Sequence, residues 1–135
     1  MKSLVIGVGI LILVFIVVLN TSFVADQAVS WVAANPKDPS APDVLYDMGR
    51  WCDLMGNDDK ARELYLQLYK QYPERADLCA AALYHVAYNF ANGTYIVVIK
   101  KQALPYLDIV MNQYSTQTDW QAKARQLDDE VTNTH

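Results

Sequence analysis

The feature that most constrains this chain is a long apolar run near its N-terminus. The stretch SLVIGVGILILVFIVVL, residues 3–19, contains no charged side chain, and apolar character resumes at residues 23–25. Residues 3–25 would form a helix of about 34 Å at ~1.5 Å per residue, whereas the apolar core of a bilayer is ~30 Å thick. A run of this length and composition predicts a single transmembrane helix.

A cleaved signal peptide is the alternative interpretation of the same run. A signal peptidase needs small residues at positions −3 and −1 of its cleavage site. Cleavage after Ala25 would place Phe23 at position −3, and cleavage after Ala28 would place Asp26 there. Because neither residue fits, we expect the run to be retained as a membrane anchor.

The charges that flank the run indicate its orientation. Lys2 precedes it, whereas Asp26, Lys37 and Asp38 follow it, so the excess of positive charge is N-terminal. Positively charged flanks stay in the cytoplasm. We therefore expect a cytoplasmic N-terminus and an extracytoplasmic C-terminal domain, either periplasmic or on the cell surface.

The helix should continue beyond the membrane, so that residues 1–35 form the anchor and its extension. Trp31 would then lie near the membrane surface, where indole rings are enriched. The next segment, residues 36–42, contains three prolines, which interrupt helices. It predicts a semi-rigid linker.

From residue 43 onward, apolar residues recur with the 3.6-residue period of amphipathic helices. The first stripe consists of Val44, Leu45, Met48, Trp51, Cys52 and Met55, and the second of Ala61, Leu64, Tyr65, Leu68 and Tyr72. Gly56 and Asn57 interrupt the pattern between them, Asp58 is a candidate N-cap, and Pro73 ends the second stripe. Helices joined by so short a turn pack antiparallel.

Residues 43–73 resemble a tetratricopeptide repeat (TPR), a pair of helices of about 34 residues with small and bulky residues at fixed offsets. The TPR pattern has seven positions, held in order by a large residue, Leu, Gly, Gly, Ala, an aromatic residue and Pro. The residues at these positions here are Leu45, Met48, Gly49, Gly56, Ala61, Tyr65 and Pro73. The position usually held by Tyr is Cys52. The resemblance implies that the two helices approach closely at Gly49 and Ala61, beside Tyr65.

Residues 74–115 resemble a second, degenerate repeat with a longer connection. A helical pattern covers residues 74–91, and QALPYLDIVMNQYS then echoes KARELYLQLYKQYP of the first repeat. Residues 116–135 predict a terminal helix and tail, because repeat arrays need a helix that covers their open end. The sequence therefore predicts an all-α fold: a transmembrane helix, then a small TPR-like domain of antiparallel hairpins with a capping helix.

The segment TYIVVIK, residues 94–100, is not explained by the repeats. It either extends the next helix, which Pro105 would then kink, or precedes a helix that starts near Lys101 with Pro105 in its first turn. In both cases the apolar surface of this segment exceeds what the core of a small domain can bury. We expect contact with another subunit or with lipid at Tyr95, Ile96, Val98 and Ile99.

The sequence has no evident catalytic or cofactor-binding pattern. The histidines are His85, in a helical pattern beside Tyr84, and His135, at the end of the chain. No acid–base pair, phosphate-binding loop or metal-ligand set is evident, so we expect no enzymatic activity and no cofactor. The net charge of −4 argues against binding of nucleic acid. Asn92 begins an NGT triplet and is a glycosylation candidate.

The cysteines are predicted to be free and buried. In the repeat register, Cys52 and Cys79 are displaced by about 16 Å along parallel helices, whereas a disulfide needs Cα atoms within ~7 Å. An oxidising compartment would instead favour a disulfide between them.

The TPR resemblance implies a protein-binding scaffold whose first helices line a concave surface. The matching positions are Asp43, Tyr46, Arg50 and Asp53 in the first repeat, and Ala81, Tyr84 and Tyr88 in the second. The alternative is that Tyr84 and Tyr88 pack against the terminal helix. We expect an accessory subunit that stabilises a larger membrane complex, or else a membrane-tethered chaperone or assembly factor that binds client proteins transiently.

Overall fold

The computed structural model describes residues 2–19, 21–92 and 100–133, and within them the chain is helical without β-strands. A 3-10 turn, Lys101–Ala103, precedes the sixth helix. The helices are α1 (Lys2–Leu19), α2 (Thr21–Ala34), α3 (Ala41–Leu54), α4 (Asp58–Gln71), α5 (Ala76–Asn92), α6 (Leu104–Asn112) and α7 (Thr118–Thr132). The predicted all-α class is confirmed.

The ends of α3 and α4 follow from residues in the turns. α3 starts at Ala41, before the predicted linker ends, because Pro42 lies in the first helical turn and needs no N–H partner there. Gly56 adopts φ +74° after α3 ends. The N-cap of α4 is Asn57 rather than the expected Asp58, since the Asn57 side chain accepts a hydrogen bond from the Lys60 backbone N–H at 3.3 Å.

The core is built from the apolar stripes. α3 packs against α4, α4 against α5, and α5 against α6 and α7. Fully buried side chains come from each of these helices and include Leu45, Cys52, Ala61, Leu64, Tyr65, Leu68, Cys79, Leu83, Val86, Leu107, Val110 and Ala124. Met55 is a difference from the expected stripe: it follows the last residue of α3 and is exposed.

α2 belongs to this packed domain. Thr21, Ala25 and Val32 are buried, and α2 contacts α3 and α4. The expectation of one straight helix over residues 3–25 therefore differs from the structure, in which α1 ends at Leu19 and α2 buries Thr21 and Ala25 against the domain. Among the described residues, no single helix has the length and hydropathy of a membrane span. α1 and α2 have them only when they are taken together, as a pair bent by 59°.

The described apolar side chains of α1, from Ile6 to Ile16, lie on the outside. From Ile6 to Ile16 the exposed fraction of the large apolar side chains ranges from 51% at Ile16 to 72% at Leu11. The neighbouring glycines are equally open, because a β-carbon at Gly7 or Gly9 would meet no atom within 4 Å. The apolar surface of α1 is thus not covered by the described part of the domain.

In the second half of the chain, α6 directly follows the 3-10 turn Lys101–Ala103. Pro105 lies in the first turn of α6. Lys100 is helical, and the two alternatives for the preceding segment concern residues 94–99, which lie outside the described residues. The contact expected at Tyr95, Ile96, Val98 and Ile99 lies outside the described residues. Asn92 is the last residue of α5, and its Nδ2 donates to the Tyr88 carbonyl at 3.3 Å.

Both thiols lie in the core of the domain. Cys52 and Cys79 are fully buried and are not joined to each other. The Cys79 Sγ donates a hydrogen bond to the Tyr72 carbonyl at 3.2 Å. Burial raises the pKa of each thiol, which favours the protonated, unreactive form.

Candidate functional site

A cleft of about 330 Å³ lies between α3 and α5. The two helices contact each other, and both pack on α4. The side chains around the cleft are largely polar or aromatic and are Arg50, Asp53, Asp58, Tyr84, His85, Tyr88, Asn89 and Asn92. Since all of them lie on helices, the packed domain fixes their backbone positions.

His85 is the centre of an aromatic cluster beneath the cleft. Its ring centroid lies 5.6 Å from that of Tyr65, 5.7 Å from Trp120, 5.8 Å from Tyr84 and 6.4 Å from Tyr46. Burial lowers the pKa of His85 to about 4, because desolvation disfavours the charged imidazolium. At neutral pH, His85 therefore forms an uncharged aromatic floor of the cleft.

Two nearby positive charges also lower the pKa of His85. Arg50 places Nη1 3.4 Å from each ring nitrogen of His85, and Lys123 lies 4.2 Å above the Trp120 ring. Both cations lower the pKa of His85 further, because a second positive charge nearby is unfavourable. The neutral ring accommodates both cations without charge repulsion.

Asp53 joins three helices at one wall of the cleft. The Tyr65 hydroxyl of α4 donates to Oδ2 of Asp53 at 2.6 Å, and Nδ2 of Asn89 on α5 donates to Oδ1 at 2.9 Å. Arg50 Nη1 lies 3.9 Å from Oδ2. Burial and the Asp53 carboxylate raise the pKa of Tyr65 well above its usual range, so its hydroxyl stays protonated. Asp53 therefore fixes the helices in place.

Arg50 and Tyr88 are two side chains of the cleft that a ligand can reach. The exposed fraction is 41% for the Arg50 side chain and 46% for Tyr88. Arg50 has five N–H donors in a planar group, and Tyr88 offers a ring face and a hydroxyl. Both are residue types that contribute strongly to protein interfaces.

The structure brings only part of the expected binding surface together. Arg50, Asp53, Tyr84 and Tyr88 line the cleft, and Tyr46 packs beneath it, 6.0 Å from the Tyr65 ring. Tyr84 also meets Trp120 of α7, with ring centroids 5.6 Å apart, so the alternative of packing against the terminal helix describes Tyr84. Tyr88 stays nearly half exposed.

Asp43 and Ala81 do not belong to the cleft. Asp43 is at the opposite end of α3, where its Oδ2 accepts a hydrogen bond from Arg75 Nη1 at 3.0 Å. Arg75 also binds Asp77, and these two partners hold the guanidinium at the start of α5. Ala81 is buried in the core, since α5 turns that side toward its neighbours.

Sequence reasoning did not assign His85, Asn89, Asn92 or Asp58 to the site. A signal was present for the first three, because polar residues at 85, 89 and 92, with Tyr88, recur at helical spacing on the otherwise apolar α5. The hydrogen bond from Asn89 to Asp53 was not readable from sequence, since it depends on how closely α3 and α5 approach.

A metal site is not apparent in the part of the chain that the structure describes, where no three His, Cys, Asp or Glu side chains are arranged to hold an ion. The carboxylate best placed in the cleft, Asp53, is already bound by Tyr65 and Asn89. Comparison with protein-family models, with curated proteins and with solved structures gives no match to this chain.

Proposed function

We propose that this protein is a non-enzymatic accessory subunit that binds and stabilises a larger membrane protein complex. In this proposal, α1 is a single membrane anchor with a cytoplasmic N-terminus. α2–α7 form an extracytoplasmic TPR-like domain that contacts other subunits. The protein needs no cofactor and binds no nucleic acid.

The observation that carries the proposal is the uncovered apolar surface of α1. Its large apolar side chains from Ile6 to Ile16 are more than half exposed. Apolar surface in water costs about 25 cal/mol per Å², and patches of this extent mark contact with a membrane or a protein. Lipid around α1 would remove that cost.

The packing of α3 and α4 supports the TPR-like register. Gly49 lies against the Tyr65 ring, where a β-carbon would be only 2.5 Å from Cε1, and Ala61 is fully buried. These are the close-contact positions that the resemblance implies. α3 and α5 then correspond to the first helices of the two repeats, which present the binding surface.

The cleft between these helices supports a protein partner in particular. At about 330 Å³ it is at the small end of the ~300–1,000 Å³ range of ligand sites. Exposed Arg50 and Tyr88 beside a neutral aromatic floor suit one or two side chains of a protein segment. A partner held there would be positioned by the membrane anchor, which raises its effective concentration.

The test is retention of a partner by the full chain. Tagged protein is purified in mild detergent from membranes of its own cells and passed over a size-exclusion column. We expect a stoichiometric partner with the wild type and its loss with the double variant Arg50→Gln/Tyr88→Ala. Arg125→Glu, at an exposed position on α7, is the control.

The outcomes separate the alternatives. Complete retention by the double variant would remove the cleft from the binding surface. A wild-type partner that is lost on dilution would favour the chaperone or assembly-factor alternative. Val98→Asp separately tests the second contact that the sequence predicts at residues 95–99.

A further inference from the structure

The surface of α2 is divided into faces of different character. One face, with Thr21, Ala25 and Val32, is buried in the domain. A second face is held by polar contacts: Asn57 Nδ2 donates to Ser22 Oγ at 3.1 Å, and Asp26 Oδ1 lies 2.7 Å from Lys60 Nζ. Two sides of α2 are therefore occupied by α3 and α4.

The remaining face is uncharged and mostly apolar. Phe23 is 61% exposed, Trp31 39% and Val24 37%, and Gln27 lies between them. At 100° per residue these positions cover about a third of the helix circumference. We name Phe23, Val24, Gln27 and Trp31 the outer face of α2.

The bend between α1 and α2 keeps α2 close to the membrane that α1 would cross. If α1 crosses along the membrane normal, a bend of 59° inclines α2 strongly toward the membrane plane. At ~1.5 Å per residue along the helix, Trp31 then lies only about 8 Å above the start of α2. The headgroup layer is itself roughly 5–8 Å deep on each side of the apolar core.

We propose that the outer face of α2 lies in the headgroup layer of the bilayer that α1 crosses, and so holds the domain against the membrane. The inference rests on the proposed anchoring by α1, with which the outer face is nearly continuous in sequence. Trp31 suits this depth, because indole rings are enriched at membrane interfaces. Since the outer face has no charge, its partner is the lipid interface in general rather than an anionic headgroup.

The test uses the full chain reconstituted in phosphatidylcholine vesicles. A fluorophore is attached to a cysteine introduced at Leu11, Gln27 or Lys70, one position per sample; the native Cys52 and Cys79 are buried and label poorly. Lipids with a nitroxide in the headgroup or in the acyl chain report the depth of each position. Lys70, exposed near the far end of α4, is the matched control.

We expect acyl-chain nitroxide to quench Leu11→Cys, headgroup nitroxide to quench Gln27→Cys, and neither to quench Lys70→Cys. Adding phosphatidylglycerol should leave this pattern unchanged. Quenching at position 11 without quenching at 27 would overturn the inference while α1 remains an anchor. Absence of quenching at position 11 would overturn the anchoring itself.

A second variant separates binding by the outer face from proximity that the bend alone imposes. Phe23→Gln/Trp31→Gln, combined with the label at position 27, removes the large rings and leaves the buried face of α2 intact. We expect the headgroup quenching at position 27 to be lost, while acyl-chain quenching of Leu11→Cys in a separate sample of the same double variant persists. Unchanged quenching at 27 would overturn the claim that the outer face binds lipid.

Discussion

A β-carbon on Gly49 would lie 2.5 Å from Cε1 of Tyr65, closer than packed side chains approach. The ring has no room to shift, because Tyr65 is fully buried and its hydroxyl donates to Asp53 at 2.6 Å. Asp53 in turn accepts from Asn89. The spacing of α3 and α4 is thus coupled to the wall of the cleft.

We expect Gly49→Ala to destabilise the domain. The clash should cost about 1–3 kcal/mol, as for other overpacked cores, and should exceed the gain of up to ~1 kcal/mol from replacing a helical glycine. The measurement is urea denaturation of the full chain in detergent. Gly9→Ala, where the new atom meets nothing within 4 Å, is the control. Equal stability of wild type and Gly49→Ala would argue against the close contact.

Tyr65→Phe should lower the free energy of unfolding by about 1.5–3 kcal/mol, the usual contribution of a hydrogen bond to a charged group. The ring remains, so the packing against Gly49 is preserved. Tyr69→Phe is the matched control, because the Tyr69 hydroxyl donates to the neutral, exposed Gln113 at 3.1 Å. Comparable losses in the two variants would mean that Asp53 adds nothing beyond an ordinary surface hydrogen bond.

Much of the fold is readable from the apolar period. The stripes with Leu45, Ala61 and Tyr65 become the core of α3 and α4, and the terminal helix was expected where α7 lies. The break before α2 was not readable, since an apolar segment at residues 23–25 suits lipid and a protein core equally well. The contacts that decide it, such as Lys60 with Asp26, join residues far apart in sequence.

Part of the candidate site could also be predicted from the sequence. Arg50 and Tyr88 were expected from the TPR resemblance, because the repeat geometry leaves both positions outside the core stripe of their helices. The neutral His85 floor does not follow, since its low pKa depends on burial among rings from three other helices. Helical period predicts which side a residue faces, whereas tertiary packing decides what it meets there.

Protonation of His85 should make stability depend on pH. Its pKa is about 4 in the folded state and ~6.5 in an unfolded chain. Between these values the unfolded state binds the extra proton, so stability is complete above about pH 6.5 and falls toward pH 4, by about 3 kcal/mol in total. Denaturation midpoints measured across this range test the expectation.

The matched variant for this titration is His85→Phe, which keeps a ring in the aromatic cluster and removes the ionisable group. Its stability should be nearly flat between pH 6.5 and 4. The pKa values of Asp38 and Asp77 are lowered from the ordinary value of 3.8 by hydrogen bonds, so those carboxylates act mainly below this window. An equally steep pH dependence in His85→Phe would exclude His85 as the cause.

We expect the mature protein to retain its N-terminal segment. The sequence offers no suitable cleavage site near Ala25, and the structure adds a second reason. Ala25 is fully buried, and Thr21 nearly so, in the contact of α2 with the domain. Cleavage after Ala25 would remove both residues together with the Ser22–Asn57 hydrogen bond. Intact-mass measurement on protein from its own cells should therefore include residues 1–25; a mass that lacks them would make this a secreted domain and overturn the anchoring proposal.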